Sequence, residues 1–256
     1  MITVVDLYNY FDKLIPKSLG EEWDNDGLMV CPDKNAEVKG VLFALDATYD
    51  AIEYAHKNGY NVIITHHPLI FNKISELSGN STTSALAIKA LLYGISVMSF
   101  HTRLDSVNFG VNKVLAEKIG LTSVCRLDES HDGGSIGCIG ECERQSLSDF
   151  CSNVKNALNV KALIVAKGCD TVSKVAVVGG AGDDYLFTAL SKGVDTFITG
   201  EVHHHIYILA KTLGVNIIGA GHHATEDPVL EILAEKLIEF SDIKHEIYNS
   251  DPTFII

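Results

Sequence analysis

Short apolar runs alternate with helical patterns over most of the 256-residue chain. Runs such as 41–45 and 60–64 are too short for helices and are typical of strands buried on both faces of a parallel sheet. Between them, apolar residues recur three and four positions apart, which predicts amphipathic helices. This alternation predicts an α/β fold with mixed sheets flanked by helices.

Capping residues mark several of the predicted helix ends. Thr3 followed by Asp6 resembles a capping box at the start of the first helix, and Pro16 lies where that helix should end. Thr48 is a candidate N-cap for a helix that ends at Gly59, because glycine readily adopts the left-handed C-cap conformation. Further strands are predicted at 95–100, 162–166, 175–178, 196–199, 215–218 and 244–248, and further helices at 84–93, 148–158, 185–191, 206–213 and 229–240.

The pattern weakens between residues 121 and 170. Gly133, Gly134, Gly137 and Gly140 predict turns or a bulged strand there. We interpret this part as a connecting region. The predicted division is a first α/β lobe at 1–125, and a second part at 126–256 that holds the connecting region and another α/β lobe.

Two segments of the chain resemble each other. Aligned without gaps, 41–67 and 175–201 are identical at seven of 27 positions, a number that chance alone can produce between two strand–helix–strand units. The positions that coincide are more informative, because both segments end in potential metal ligands, His66-His67 in one and Glu201 in the other. We therefore predict two similar α/β lobes related by an internal duplication.

One strand later, each half carries a histidine followed four residues on by a carboxylate. These pairs are His101 with Asp105 and His222 with Glu226. Residues four apart share one face if the chain is helical there. Since α/β folds bind ligands beyond the carboxyl ends of their strands, we expect the four strand ends to form one composite site. Two adjacent histidines alone are more often surface side chains than metal ligands. The prediction of a metal site therefore depends on finding potential ligands at all four strand ends.

These residues are suited to binding metal ions. Imidazoles and carboxylates without cysteine favour zinc, iron, manganese or nickel. The set is large enough for two ions about 3.5–4 Å apart, an arrangement used for hydrolysis. Arg103 is a candidate for binding a substrate anion, although a solvated side chain or an ion pair with Asp105 is equally compatible with its position. His205 is a second candidate for substrate binding.

Composition excludes some classes of function. Lys and Arg number 20 against 33 Asp and Glu, giving a net charge of −13 that disfavours nucleic acid as a partner. The six cysteines contain no CxxC spacing, the N-terminus lacks a signal-peptide pattern, and no apolar run approaches 18 residues. We therefore expect a cytoplasmic protein with free thiols and no membrane segment.

Five motifs together carry a resemblance to a known family. They are WDNDGL (23–28), THHPLIF (65–71), HTRLD (101–105), ITGEVHHH (198–205) and GHHATE (221–226). In this order and spacing the chain resembles the short form of the Nif-three-like proteins, which are described as type 2 homologues of GTP cyclohydrolase I and as dinuclear metal centre proteins. Arg103 departs from the family pattern, in which asparagine is common at this position, and this bears on pocket selectivity.

The resemblance implies a toroidal homohexamer with two divalent metal ions per subunit. Carried over by motif, the metal ligands are His66, His67, Asp105, His222 and Glu226, with Glu226 bridging the ions. His101 and Glu201 match polar positions that line the same pocket, and we take them as candidates for proton transfer.

Two functions fit these expectations. The first is a metal-dependent hydrolase that uses metal-activated water on a small heterocycle or nucleotide, with GTP ring opening as the named possibility. The alternative is a non-catalytic metal-binding scaffold, a metal carrier or a regulatory ring. A catalytic site needs an open coordination position and a substrate pocket, whereas a storage site needs neither.

Overall fold

The structure is a computed structural model that describes residues 1–128 and 135–254. The chain divides into two compact units, one formed by Met1–Leu104 with Leu230–Pro252 and the other mainly by Asp105–Val229. This division differs from the predicted one near residue 125. The C-terminal stretch returns to the first unit because its strand pairs, residue by residue, with the strand that begins at Val41.

The described residues form ten α-helices and eleven strands. In chain order these are α1 (Val4–Leu14), β1 (Gly27–Val30), β2 (Val41–Ala44), α2 (Tyr49–Asn58), β3 (Val62–Thr65), α3 (Thr82–Leu92), β4 (Ser96–Ser99), α4 (Thr102–Ser106), α5 (Val111–Lys118), β5 (Thr122–Arg126), β6 (Cys138–Ser146), α6 (Leu147–Ala157), β7 (Ile164–Ala166), β8 (Thr171–Val178), α7 (Leu186–Ser191), β9 (Thr196–Thr199), α8 (His204–Thr212), β10 (Asn216–Gly219), α9 (His222–Glu226), α10 (Val229–Phe240) and β11 (His245–Ile247).

The first unit contains a five-stranded sheet in the order β1-β4-β3-β2-β11. Its strands run parallel except β1, which pairs antiparallel with β4. Every residue of β2, β3 and β4 is buried, as expected for parallel strands covered on both faces. The predicted capping box at Thr3 and Asp6 is present, and Gly59 ends α2 in the left-handed conformation with φ of 76°.

The second unit contains a six-stranded sheet in the order β5-β6-β8-β9-β10-β7. Strands β8, β9 and β10 are parallel, while β5, β6 and β7 join this core in antiparallel pairings. Both units therefore have mixed sheets, and the predicted α/β class is confirmed. In the described residues, no helix is both long and apolar enough to cross a membrane.

The two aligned segments have the same strand register. In the first unit β2 and β3 pair Val41 with Val62, and in the second β8 and β9 pair Val175 with Thr196. Each pairing joins residues 21 positions apart, and both second strands end at a threonine, so the segments place their following residues equivalently. Descent from an internal duplication remains a prediction.

Strands β1 and β5 were not predicted from the sequence, whereas β6 lies where turns or a bulged strand were predicted, and its register with β8 shifts between Glu141 and Gln145. Strand β1 lies at the edge of its sheet within a turn-rich acidic stretch, while β5 and the second half of β6 are largely exposed. Strand β5 lacks the continuous apolar run that marks a buried strand, and the run at β1 covers only residues 28–31 between turn residues. The turns predicted at Gly133 and Gly134 lie outside the described residues.

Candidate metal centre

Three histidines gather at the carboxyl ends of two neighbouring strands in the first unit. His66 and His67 follow β3 directly, and His101 follows β4 after one intervening residue. One potential ligand atom from each lies within 4.8 Å of the other two, so this group could hold a metal ion. His66 is fully buried, and the other two are partly exposed. Beyond the strand's end, therefore, adjacent histidines converge instead of pointing to opposite faces.

Protein acceptors fix the orientation of His66 and His67. The Nδ1 atom of His66 lies 3.0 Å from the carbonyl oxygen of Phe100, and Nδ1 of His67 lies 3.0 Å from Oδ1 of Asp46. Because a carbonyl oxygen can only accept, Nδ1 of His66 must donate this bond, and a neutral ring then carries its lone pair on Nε2. Metal-binding histidines in proteins are commonly held in this way through the nitrogen that does not bind the ion.

His101 is held by the acidic loop that precedes β1. Its Nδ1 atom lies 2.9 Å from Oδ1 of Asp24, whose Oδ2 accepts from the backbone and the hydroxyl of Thr102. Burial acts to raise the pKa of Asp24, but the hydrogen bonds from His101 and Thr102 outweigh it and lower the pKa to about 2. Asp24 is thus ionised at neutral pH and orients His101 as the carboxylate partners of ligating histidines do.

A second histidine–carboxylate group lies in the second unit. His222 and Glu226 occupy the two ends of α9, and Nε2 of His222 is 3.2 Å from Oε2 of Glu226. The Nδ1 atom of the same ring is 3.1 Å from Oε1 of Glu201, which follows β9. Glu226 is buried and Glu201 is exposed. The predicted helical pairing of His222 with Glu226 is therefore present, and Glu201 contacts the same imidazole.

A glycine turn after β8 makes room for Glu226. Gly180 has a φ of 63°, and a Cβ atom there would lie 2.2 Å from Oε1 of Glu226. The backbone amide of Gly180 donates to the hydroxyl of Thr225, and its carbonyl accepts from the amide of Glu201. The amides of this turn therefore bond to the protein itself.

Asp105 lies on α4, the short helix that begins directly after His101. Its carbonyl oxygen accepts a hydrogen bond of 3.0 Å from the amide side chain of Asn112. Asp105 also lines a cavity of about 720 Å³ within the second unit, together with Lys113, Arg126 and Lys192. This volume lies in the range of small-molecule sites, about 300–1,000 Å³.

Arg103 differs from its predicted role in substrate binding. The side chain is fully buried, with Nε 2.8 Å from Oδ2 of Asp26 and Nη1 2.7 Å from Oδ1 of Asp12. Nη1 also donates to the carbonyl of Ile15, and the guanidinium lies over the ring of Phe100. An anion would have to displace these partners. Arg103 therefore packs within the core of the first unit, where Asp12 and Asp26 are its ion-pair partners.

His205 lies on the exposed face of α8. Its ring is 5.8 Å from that of His203, whose Nδ1 is 2.8 Å from Oδ2 of Asp183. This carboxylate raises the pKa of His203, mainly through the hydrogen bond. The role of His205 in substrate binding stays a prediction.

Sequence reasoning missed the carboxylates that orient the histidines. Asp46 follows β2 by one residue, and Asp24 lies in the acidic loop around the tryptophan. The position of Asp46 at a strand end was a usable signal. No spacing rule connects Asp24 with His101, because they are 77 residues apart.

The sequence matches the profile of the family described as Duf34/NIF3 (NGG1p interacting factor 3) over residues 2–253. It is 34% identical over 241 residues to a Clostridium acetobutylicum protein named GTP cyclohydrolase 1 type 2 homolog, covering 92% of this chain and 90% of that one. A Clostridium perfringens protein of the same name is 33% identical over 255 residues, covering 98% of this chain and 94% of its own.

Solved structures give the same result. A Staphylococcus aureus hypothetical protein superposes with a TM-score of 0.91 at 28% identity, covering 100% of this chain and 99% of that one. Reduced HcgD from Methanocaldococcus jannaschii superposes with a TM-score of 0.83 at 29% identity, with 98% of both chains covered. The resemblance drawn from the five motifs is thus confirmed, and the chain belongs to the Duf34/NIF3 family.

Proposed function

We propose that this protein binds two divalent metal ions and hydrolyses a small heterocycle or nucleotide. The proposed ligands are His66, His67, Asp105, His222 and Glu226. The observation that carries the proposal is the bonding of the imidazoles. His66 and His67 each direct Nδ1 at an oxygen of the protein, the arrangement expected of rings that bind a metal through Nε2.

The donor chemistry fits such ions. Imidazole nitrogens and carboxylate oxygens suit zinc, iron, manganese and nickel, and no thiolate is among the proposed ligands. Glu226 is buried against Gly180 with His222 as its neighbour, which holds a carboxylate where a cation would stabilise it. When bound, the ions would supply a Lewis acid and lower the pKa of water to about 7.

The residues around the ligands would orient groups and transfer protons. Glu201 is exposed and contacts Nδ1 of His222, so it can accept a proton from the solvent side and is our first candidate for proton transfer. His101 is the second candidate, and Asp24 fixes its ring.

Substrate binding is supported by the cavity that Asp105 lines. Lys113, Arg126 and Lys192 supply positive charge around it, although the whole chain carries a net charge of −13. A storage or carrier site needs no such space beside a metal ligand. The cavity therefore favours a hydrolase over a non-catalytic scaffold or metal carrier, and GTP is the first substrate to test because the relatives are named for it.

The deciding experiment is metal reconstitution followed by a hydrolysis screen. The metal-free protein is loaded separately with zinc, iron, manganese or nickel, and elemental analysis should give about two ions per chain. Each loaded form is then incubated with GTP and other nucleotides, and products are separated by chromatography. A maximum of one ion per chain rules out the two-metal proposal. Two ions without turnover of any nucleotide support the scaffold or carrier function.

The assembly and location are further parts of the proposal. We propose a toroidal homohexamer on the basis of family membership, and light scattering at micromolar concentration should give six times the mass of 27.8 kDa. A monomer mass would contradict it. All six cysteines lie in the described residues and are free, which is consistent with a reducing compartment such as the cytoplasm.

A further inference from the structure

Two exposed aromatic side chains stand beside His101 in the first unit. Trp23 is 62% exposed and Phe71 is 46% exposed. Their rings are 6.0 Å apart, and each meets the imidazole edge to face, Trp23 at 6.3 Å and Phe71 at 6.1 Å. We call Trp23 and Phe71 the aromatic wall. Single exposed apolar residues are ordinary, but two large rings in contact beside a polar site form a patch.

The residues that follow Trp23 hold the wall in place. Asp24 bonds to the imidazole of His101, and Asp26 accepts from the backbone amide of the same residue. Between them, the side-chain amide of Asn25 donates to the carbonyl of Ile70, the residue before Phe71. The three residues after the tryptophan therefore each bond to the histidine or to the segment that carries the second ring.

This bonding pattern distinguishes the wall from a mobile surface loop. Asp24 and Asp26 are largely buried, and their bonds fix the loop to the start of α4. The backbone that carries the tryptophan is fixed by these bonds while 62% of its side chain is exposed, so a face of the indole is available to a flat apolar partner.

We propose that the aromatic wall is a binding surface for a planar heteroaromatic ring, which stacks on Trp23 with its edge towards the histidines. The inference rests on the proposed function, and it names the residues that would recognise the ring of the substrate. Stacking on an aromatic side chain tolerates many bases because every base has a π face. The wall would thus supply affinity for the ring, and the histidine group would lie at its edge.

Trp23 is the only tryptophan of the chain, so its fluorescence reports on this surface directly. The full-length protein is titrated with guanosine, GTP and adenosine, and with inorganic triphosphate as the probe that lacks a ring. We expect saturable quenching by the three ring-containing probes and none by triphosphate. Absence of quenching by all of them, or equal quenching by triphosphate, would overturn the proposal.

Variants then separate stacking from other causes. Trp23→Ala should weaken guanosine binding, measured by calorimetry, on the order of 10-fold to 100-fold, and Trp23→Tyr should restore most of it. Phe71→Leu, which keeps the fluorophore, should reduce the affinity and the quenching. Phe187→Ala is the matched control, since Phe187 is also 62% exposed but lies in the second unit. Unchanged affinity in Trp23→Ala overturns the proposal.

The same variants test whether the wall serves another purpose. If Trp23→Ala changes the mass measured by light scattering, the surface is a contact between copies of the chain and the proposal fails. Metal content should equal that of the wild type in every wall variant. Quenching by the ring-containing probes without any hydrolysis would support the aromatic wall and contradict the hydrolase proposal. Hydrolysis together with unchanged guanosine affinity in Trp23→Ala would support the hydrolase and contradict the aromatic wall.

Discussion

The Oε2 atom of Glu226 lies 3.2 Å from the Nε2 atom of His222, across one turn of α9. In the proposed centre this nitrogen would bind a metal, since Nδ1 of the same ring lies 3.1 Å from Oε1 of Glu201. A buried carboxylate beside a ligating imidazole is stabilised when a cation is bound between or beside them. If the proposed centre is correct, this contact should respond to metal occupancy.

Glu226→Gln removes this charge and keeps the shape of the side chain. If Glu226 bridges two ions, the substitution should lower the occupancy of both, and elemental analysis after reconstitution should give well below two ions per chain. Glu143→Gln, at an exposed position on β6, is the control and should load normally. Full occupancy in Glu226→Gln would show that this ligand is assigned wrongly.

His101→Ala tests the distinction between ligand and pocket residue. As a candidate for proton transfer, His101 should affect turnover more than metal content, so the variant should load close to two ions and lose activity by about 10²- to 10⁴-fold. The measurement pairs elemental analysis with the hydrolysis assay. Loss of metal would instead make His101 a ligand beside His66 and His67, with which it forms the group that could hold an ion.

Gly180→Ala should distort the position of Glu226. The new Cβ atom would lie 2.2 Å from Oε1 of Glu226, and the φ of 63° adds backbone strain of about 1–2 kcal/mol. Gly193→Ala is the matched control, because its φ is 70° and a Cβ atom there meets nothing within 4 Å. Both variants should lose stability in urea unfolding, but only Gly180→Ala should also lose metal. Equal metal content in the two would contradict the packing described.

Arg103→Ala should reduce the free energy of unfolding by about 3–5 kcal/mol, since it leaves Asp26 buried without its ion-pair partner. Arg103→Lys should recover only part of this loss, because an ammonium cannot reproduce the planar fork that reaches Asp12, Asp26 and Ile15 together. Urea unfolding of both variants gives the measurement. An unchanged midpoint with a raised KM would restore the substrate-binding role.

Cys138 should make the free energy of unfolding depend on pH in the alkaline range. Burial raises the pKa of its thiol to about 11, whereas the thiol of the unfolded chain titrates near 8.5, so the unfolded state alone loses a proton between these values. Stability should therefore fall as pH rises above about 8.5, by roughly 1 kcal/mol at pH 9.5. Cys138→Ala should remove this part of the pH dependence, as urea unfolding at pH 8 and 9.5 would show. An equal loss of stability between pH 8 and 9.5 in the wild type and in Cys138→Ala would contradict the raised pKa of Cys138.

Helices and buried strands were predicted well because their signals are local. The cap at Thr3, the glycine at the end of α2 and the apolar runs of β2 and β3 depend on neighbours within a few residues. Strands β1 and β5 were missed, because the apolar run of β1 is short and lies between turn residues and β5 is largely exposed. A local sequence pattern does not identify the strand with which a segment pairs.

By itself, the sequence determined the kinds of atoms available to the candidate site and the strand ends that carry them. His66, His67, His101, Glu201 and the pair on α9 were all named from strand-end position and helical spacing. Only the tertiary structure decided their partners. The side chain of Arg103 is buried in the core, and Gly180 lies next to Glu226. The imidazoles of the three histidines bond to Phe100, Asp46 and Asp24. The reason is that such contacts join residues tens of positions apart, and their geometry is set by packing rather than by spacing along the chain.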